Sequence, residues 1–175
     1  MGQKNIPEKL NDFRVYVNGS TDSKGISDLQ LPPLESMTET VSGGGIAGEY
    51  ESPNIGHLGS MKLTINWTVL NDDLTEFLKP QTLMIDCRLA NQEYNPTKGK
   101  HEFVPNKVLV RGIPTSNDPG KAEKGTPYEG SSEVEVLYMK LERDGRTILE
   151  FDKINYIYKV DGVDYMADLR EALGM

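Results

Sequence analysis

The sequence has very few of the residues from which catalytic and metal sites are usually built. Its 175 residues include one cysteine, two histidines and one tryptophan. The single cysteine, Cys87, can form no disulfide within the chain, which favours synthesis in a reducing cytoplasm. The histidines, His57 and His101, stand at no metal-ligand spacing from each other or from Cys87. We therefore predict no metal and no cofactor.

Long apolar runs and an excess of positive charge are also missing. No stretch of 18 apolar residues occurs and the N-terminal segment has no apolar export region, so we expect no membrane insertion. The 19 Lys and Arg against 27 Asp and Glu give a net charge of -8. A chain of this charge, with no visible cationic cluster, is not expected to bind a nucleic-acid backbone by neutralising its phosphates.

The motifs of common enzyme classes are absent or stand in the wrong context. Residues 43–48 match G-x-G-x-x-G, but Glu49, Glu51 and Pro53 follow where a dinucleotide site needs a helix N-terminus. Neither a G-x-S-x-G elbow nor a phosphate-binding G-x-x-x-x-G-K-[ST] loop occurs. Carboxylates are abundant, and an acid-base dyad among them remains an open alternative. We predict that the protein is not an enzyme.

The sequence does contain segments in which apolar and polar residues alternate, a pattern typical of half-buried β-strands. Its 17 glycines and 10 prolines favour the turns that such strands require. The clearest case runs from Met61 to Val69, where apolar and polar residues alternate. Asp144-Gly145 is typical of a two-residue hairpin turn. Strands are predicted at 13–17, 26–31, 34–41, 61–69, 83–90, 108–110, 134–142 and 147–159.

Two short helices and two long loops complete the pattern. A helix is predicted at 73–79, with Asp73 and Glu76 as a capping box, and another at 163–173. Residues 42–59 hold six glycines and are predicted to form a long Gly-rich loop. Residues 116–130 carry no large aliphatic side chain and are predicted to form a mobile polar loop. A chain of this size forms one domain, residues 1–175.

The C-terminal third, residues 131–175, contains an ordered string of residues: Leu141, Asp144-Gly145, the segment 149–152, Asn155, Ile157, the turn 159–164 and Leu169. This string resembles the major tail tube proteins of contractile-tailed bacteriophages. Upstream, further segments follow one another in the same order as in the family: 13–19, 29–34, the Gly-rich loop, the strand with Trp67 and residues 110–112. The segment 91–103 departs from the family pattern.

The resemblance implies a mainly β fold: a two-sheet antiparallel β-sandwich or open barrel with one short flanking helix and a C-terminal helix. It also implies hexameric rings that stack into the inner tail tube of a contractile injection machine in the virion tail. Partners would be other copies of the chain, the contractile sheath protein, baseplate hub and tail terminator proteins, and a tape measure protein in the lumen. DNA would pass without specific binding.

In such proteins the long loop after the third strand contacts neighbouring rings, and a Gly-rich segment with spaced apolar residues suits ordering on a partner. The expected inter-ring residues are Gly43, Gly44, Gly45, Ile46, Tyr50, Ile55 and Leu58. Strand alternation predicts which faces of the strands are exposed to solvent, but it does not show which of these faces lines the lumen. For a polar, acidic lumen the candidates are Glu35, Glu39, Thr64, Asn66, Thr68, Glu133 and Glu135.

Other readings stay open on the sequence alone. A contractile bacteriocin or a type VI-like secretion tube would share this design, so the cargo is not specified. A soluble β-sandwich ligand-binding module would need exposed aromatic residues to stack on its ligand, whereas Trp67 lies on the apolar face of its strand.

Overall fold

The chain is built almost entirely from antiparallel strands. The computed structural model describes residues 4–19 and 23–175; the predicted domain also contains residues 1–3 and 20–22, which lie outside the described residues. The mainly β prediction is confirmed. The elements in chain order are β1 (Ile6–Val17), β2 (Ile26–Gln30), β3 (Ser36–Ser42), β4 (Glu49–Leu58), β5 (Lys62–Trp67), α1 (Leu74–Leu78), β6 (Leu83–Asn95), β7 (Lys100–Asp118), β8 (Gly130–Arg143), β9 (Arg146–Asp152), β10 (Ile157–Val160), β11 (Val163–Asp164) and α2 (Ala167–Ala172).

Nine of these strands form one sheet that divides at β8. The order β1-β6-β7-β8 is followed by β9-β10-β11, while β5 also pairs with β8 and carries β2 on its other edge. The Ser23 backbone N–H donates to the Val15 carbonyl at 2.8 Å, so the segment before β2 returns to β1. This contact curls the sheet back on itself, an arrangement consistent with the expected β-sandwich or open barrel.

A β-bulge explains how β8 serves two partners on one edge. Arg111 is paired with Tyr138 and Gly112 with Val136, so Leu137 is the extra residue. The Leu137 carbonyl accepts instead from the Lys153 N–H, at 3.0 Å. The first half of β8 pairs with β5 and the second half with β9. The bend at Leu137 therefore directs the two branches of the sheet apart.

The core fills the inside of the curled sheet with the alternating residues that the sequence indicated. Leu63, Ile65 and Trp67 of β5 are buried there, and Cys87 is buried on β6. Trp67 packs edge-to-face on Phe77 of α1, with ring centroids 5.5 Å apart, and its indole N–H donates to the Ser132 hydroxyl at 3.0 Å. The short helix therefore closes one end of the core.

Several element boundaries differ from the sequence prediction. The predicted strand 147–159 is interrupted because the Asp152 carboxylate accepts from the backbone N–H groups of Ile154 and Asn155, which forms a turn before β10. The predicted capping box on α1 is also wrong. Asp73 makes no side-chain cap, and Asn71 accepts from the Leu74 N–H instead, at 3.2 Å.

The first of the two predicted loops is largely strand, and the second is only shortened at its ends. Of residues 42–59, positions 49–58 form β4, which pairs with β3, so the predicted loop shrinks to the hairpin tip 43–48. Of residues 116–130, the first three belong to β7 and the last begins β8, which leaves 119–129 as the connection. Segment 91–103 is a β6–β7 hairpin. Backbone pairing, which composition does not report, extends strands into polar and Gly-rich sequence.

Candidate functional site

The β3–β4 hairpin, residues 36–58, forms a two-stranded sheet of its own and is called the arm here. Its strands pair from Ser42 with Glu49 to Ser36 with Leu58, with one irregularity between Ser36 and Thr38. The ten residues of β4 span about 34 Å at the usual rise of a strand. An isolated two-stranded hairpin has little stability in water, so this arm needs a further contact to become firmly ordered.

The two sides of the arm differ in composition. Val41 lies directly opposite Tyr50, and strand alternation places Glu39 on the same side. Glu49 and Glu51 lie on the other side, opposite Ser42 and Thr40. Large apolar side chains stay open to solvent on the arm: Tyr50 is 54% exposed and Ile55 67%, with Met37 and Ile46 also exposed. Exposed apolar side chains also occur on other parts of the chain, but these four lie together on a separate hairpin, which favours an interaction surface there.

The base of the arm is fixed to the body near the C-terminus. The Gly59 N–H donates to the Glu35 carbonyl at 2.9 Å, and the Lys153 ammonium donates to the Gly59 carbonyl at 2.9 Å. Gly56 has φ +70° and lies against the buried Met166 side chain, so close that a Cβ there would be 2.2 Å from the sulfur. These contacts set the direction in which the arm leaves the body.

The structure places six of the seven expected inter-ring residues on the exposed part of the arm. Gly43, Gly44 and Gly45 form the tip together with Ile46, while Tyr50 and Ile55 lie on β4. Leu58 is different, because it is partly buried and packs against the core. It anchors the arm at its base.

Four of the seven expected lumen residues are brought together on one outer face, called the polar face here. Thr64 of β5 lies directly opposite Glu133 of β8, and Asn66 opposite Ser131. Glu135 lies on the same face, opposite Lys62. The other three lie elsewhere: Glu39 is on the arm, Glu35 precedes it, and Thr68 follows β5 and donates its hydroxyl to the Gly25 carbonyl.

The acids of the polar face are paired with cations. The Lys62 ammonium donates to Glu133 at 2.7 Å, and this hydrogen bond raises the pKa of Lys62. Partial burial acts to raise the pKa of Glu135, but hydrogen bonds from the Ser60 hydroxyl, the Met61 N–H and Lys153 outweigh it and hold that pKa below its usual value. Glu135 therefore has a structural role, holding the start of β5.

Sequence reasoning missed two residues of this face. Asp28 on β2 accepts from the Asn66 amide at 2.5 Å, and Lys62 pairs with Glu133. Both stand at polar positions of alternating strands, which is the signal that would have identified them. Their presence makes the face a mixed, paired surface rather than a purely acidic one.

No group of three or more His, Cys, Asp or Glu side chains lies close enough to hold a metal ion among residues 4–19 and 23–175. In the same part of the chain no helix has the length and apolar character needed to span a bilayer.

Comparison with known proteins shows the family of the chain. Residues 7–174 match the family described as phage tail tube protein FII. The chain is 28% identical over 174 residues to the tail tube protein of Escherichia phage P2, covering 97% of this chain and 99% of the relative. It is 29% identical over 171 residues to the major tail tube protein of Serratia phage KSP20, covering 97% and 98%. Because the family match extends over nearly all of the sequence, the chain belongs to the phage tail tube proteins, which are structural components of the virion tail rather than enzymes.

Proposed function

We propose that copies of this chain form hexameric rings that stack into the inner tube of a contractile tail, and that the arm joins one ring to the next. The observation that carries the proposal is the arm itself, a separate hairpin with exposed apolar residues and a base fixed to the body. A monomer gains little stability from such an element, whereas a neighbouring copy would order it.

Within a ring, we expect neighbouring copies to be joined along strand edges. β1 and β2 each have an edge that carries no further strand in the described sheet, apart from the Ser23 contact to β1. Pairing such edges between copies would satisfy their backbone groups and remove a site of aggregation. Closed rings with interfaces on the order of 2,000 Å² or more would follow.

The test shortens the arm without disturbing its base. Thr40 and Glu51 are register partners, so residues 41–50 can be replaced by an Asn-Gly turn joining them. We expect a folded protein with an unchanged melting temperature that no longer forms tubes in negative-stain micrographs. The matched control removes residues 123–125 from the 119–129 connection and should still form tubes. Normal tubes from the shortened arm would refute its role.

We propose that the polar face lines the lumen and that DNA passes along it without adhering. A wall that presented unpaired cations would bind many phosphates at once, whereas paired charges and exposed carboxylates do not. Glu133→Lys is the informative variant, because Glu135 also holds Ser60 and Lys153. Tubes of Glu133→Lys should adsorb duplex DNA in a salt-dependent way, while tubes of Glu123→Lys, with the same charge change on the 119–129 connection, should not. Equal adsorption by both variants would place Glu133 outside the lumen.

The remaining partners follow from the role of an inner tube. A sheath protein would surround the tube, hub and terminator proteins would cap its ends, and a tape measure protein would occupy the lumen during assembly. We expect synthesis in the cytoplasm of the host bacterium, in agreement with the single buried thiol of Cys87.

A further inference from the structure

The end of the sheet formed by the first part of β1, the β6–β7 hairpin and the β8–β9 turn is rich in cations. Residues 4–14, 88–107 and 140–146, called the basic end here, hold ten Lys and Arg against six Asp and Glu. The strand register joins the three segments into one surface, with Leu10 opposite Asn91 and Asn106 opposite Arg143. On a chain with net charge -8, this is a concentrated positive region.

The arm has the opposite character. From residue 25 to residue 61 the sequence contains no Lys or Arg and five acids, three of them (Glu39, Glu49 and Glu51) on the arm. In an assembly of identical acidic chains, such a segment is attracted to a region where cations are in excess. The chain thus carries two complementary surfaces on different parts of its fold.

The basic end also contains a groove with apolar side chains, which could accommodate the apolar residues of the arm. Its volume is about 640 Å³, and it is lined by Phe103, Pro105 and Ala90 together with Arg14, Arg88 and Lys107. Phe103 is 64% exposed on the wall of this groove. Arg88 and Lys107 both approach the Asp86 carboxylate, at 3.3 and 3.5 Å, and the acids Asp12 and Glu142 also line the groove. The groove therefore offers an apolar floor with three cations and two acids along its walls.

From this complementarity we infer that the groove of the basic end receives the tip of the arm from a second copy of this chain, with Ile46 and Tyr50 on Phe103 and Pro105, and Glu49 and Glu51 on Arg88 and Lys107. The contact joins two different surfaces of the chain, so it is heterologous and can repeat without limit along a tube. The inference rests on the proposed function, and it names the surface on which the arm acts.

Cross-linking tests the contact directly. Cys87 is fully buried, so cysteines placed at exposed positions can be addressed by a bis-maleimide reagent. Tubes of the double variant Ile46→Cys/Phe103→Cys should give a ladder of covalent oligomers on denaturing gels. The single variants should stop at dimers, and a double variant with Glu123→Cys in place of Phe103→Cys should give no ladder.

Charge exchange provides an independent readout. Arg88→Glu/Lys107→Glu should lower the tube fraction recovered by sedimentation by at least about tenfold, since reversing two interface charges costs more than one decade of affinity. Adding Glu49→Lys/Glu51→Lys should restore tubes, whereas adding Glu123→Lys should not. Rescue by the exchanged charges also shows that the variants fold.

The outcomes separate this inference from the proposed function. If the parent chain forms tubes but Ile46→Cys/Phe103→Cys gives no ladder and the charge exchange gives no rescue, the groove is not the receptor and the tube role stands. If the parent chain forms no tubes under any condition that allows nucleation by tail partners, the proposed function itself is wrong.

Discussion

Gly112→Ala tests how the sheet divides at β8. Gly112 pairs with Val136 beside the bulge at Leu137, in the middle of the β7–β8 pair. A Cβ at this position would lie 2.2 Å from the Glu135 carbonyl oxygen and 2.7 Å from Val134 Cγ1. Because the first obstacle is backbone rather than a side chain, no rotamer change relieves it, and β7 and β8 would have to separate.

The expected loss follows from the cost of overpacking. Inserting one methyl into a closely packed site costs about 1 to 3 kcal/mol, and a backbone obstacle places Gly112→Ala in the upper part of that range, about 2 to 3 kcal/mol. For a chain of this size one kcal/mol shifts the melting temperature by about 2 to 4 °C. Gly112→Ala should therefore melt about 4 to 12 °C below the parent.

The measurement is thermal unfolding by circular dichroism at a concentration where the parent is monomeric, because assembly would raise the apparent stability. Gly44→Ala is the matched control, since a Cβ there meets nothing within 4 Å and its φ is not in the left-handed region. Its stability should change by less than about 1 kcal/mol. Equal shifts for the two variants would show that the close approach of β7 and β8 does not require glycine at 112.

Three further predictions concern buried and paired groups. Arg143→Ala leaves the buried Glu93 carboxylate without its ion pair and should lower the free energy of unfolding in urea by about 2 kcal/mol. The expected loss is smaller than for a fully buried pair because Arg143 is half-exposed. Glu93→Gln should lower the free energy of unfolding by less, and the reverse order would contradict this reasoning. The Arg170 guanidinium, 2.6 Å from Asp164, lowers the pKa of the Asp164 carboxyl in the folded protein. The stability that this ion pair contributes is therefore fully present above the unfolded-state pKa of about 3.9 and is lost as the pH falls through the folded-state pKa. The stability gap between the parent and Asp164→Asn should then narrow from pH 7 to pH 3, and a constant gap would refute the pair. Burial raises the pKa of Cys87 to about 12, so its thiol should react with a maleimide at pH 8 only in urea; rapid labelling of the native protein would show that β6 opens.

Fold class and family were both predictable from the amino-acid sequence. Alternation in segments such as 61–69 specifies which residues face the core, because successive side chains of a strand point to opposite faces. The hairpin at Asp144-Gly145 was predictable for a similar local reason, since its positive φ angles suit that turn. The string of residues from 131 to 175 identified the tail tube family without any structure.

Tertiary structure decided the features that depend on distant pairing. Residues 42–59 were predicted as a loop because they hold six glycines and few core-forming residues, yet most of them form β4, whose backbone pairs with β3. Asn71 rather than Asp73 caps α1, which local spacing does not distinguish. Local pattern reports which residues prefer water; it does not report which strand supplies their backbone partners.

The surfaces of the candidate site also combine features that the sequence predicts with features that only the folded structure shows. Strand alternation predicted that Thr64, Asn66 and Glu133 are solvent-exposed. Only the register of β5 with β8 shows that they share one face and that Lys62 forms an ion pair with Glu133. The basic end is spread over three segments of the sequence, so no local window of charge reveals it. Strand pairing brings those segments side by side. Their charges then act together, because Coulomb interactions depend on distance in space rather than on separation along the chain.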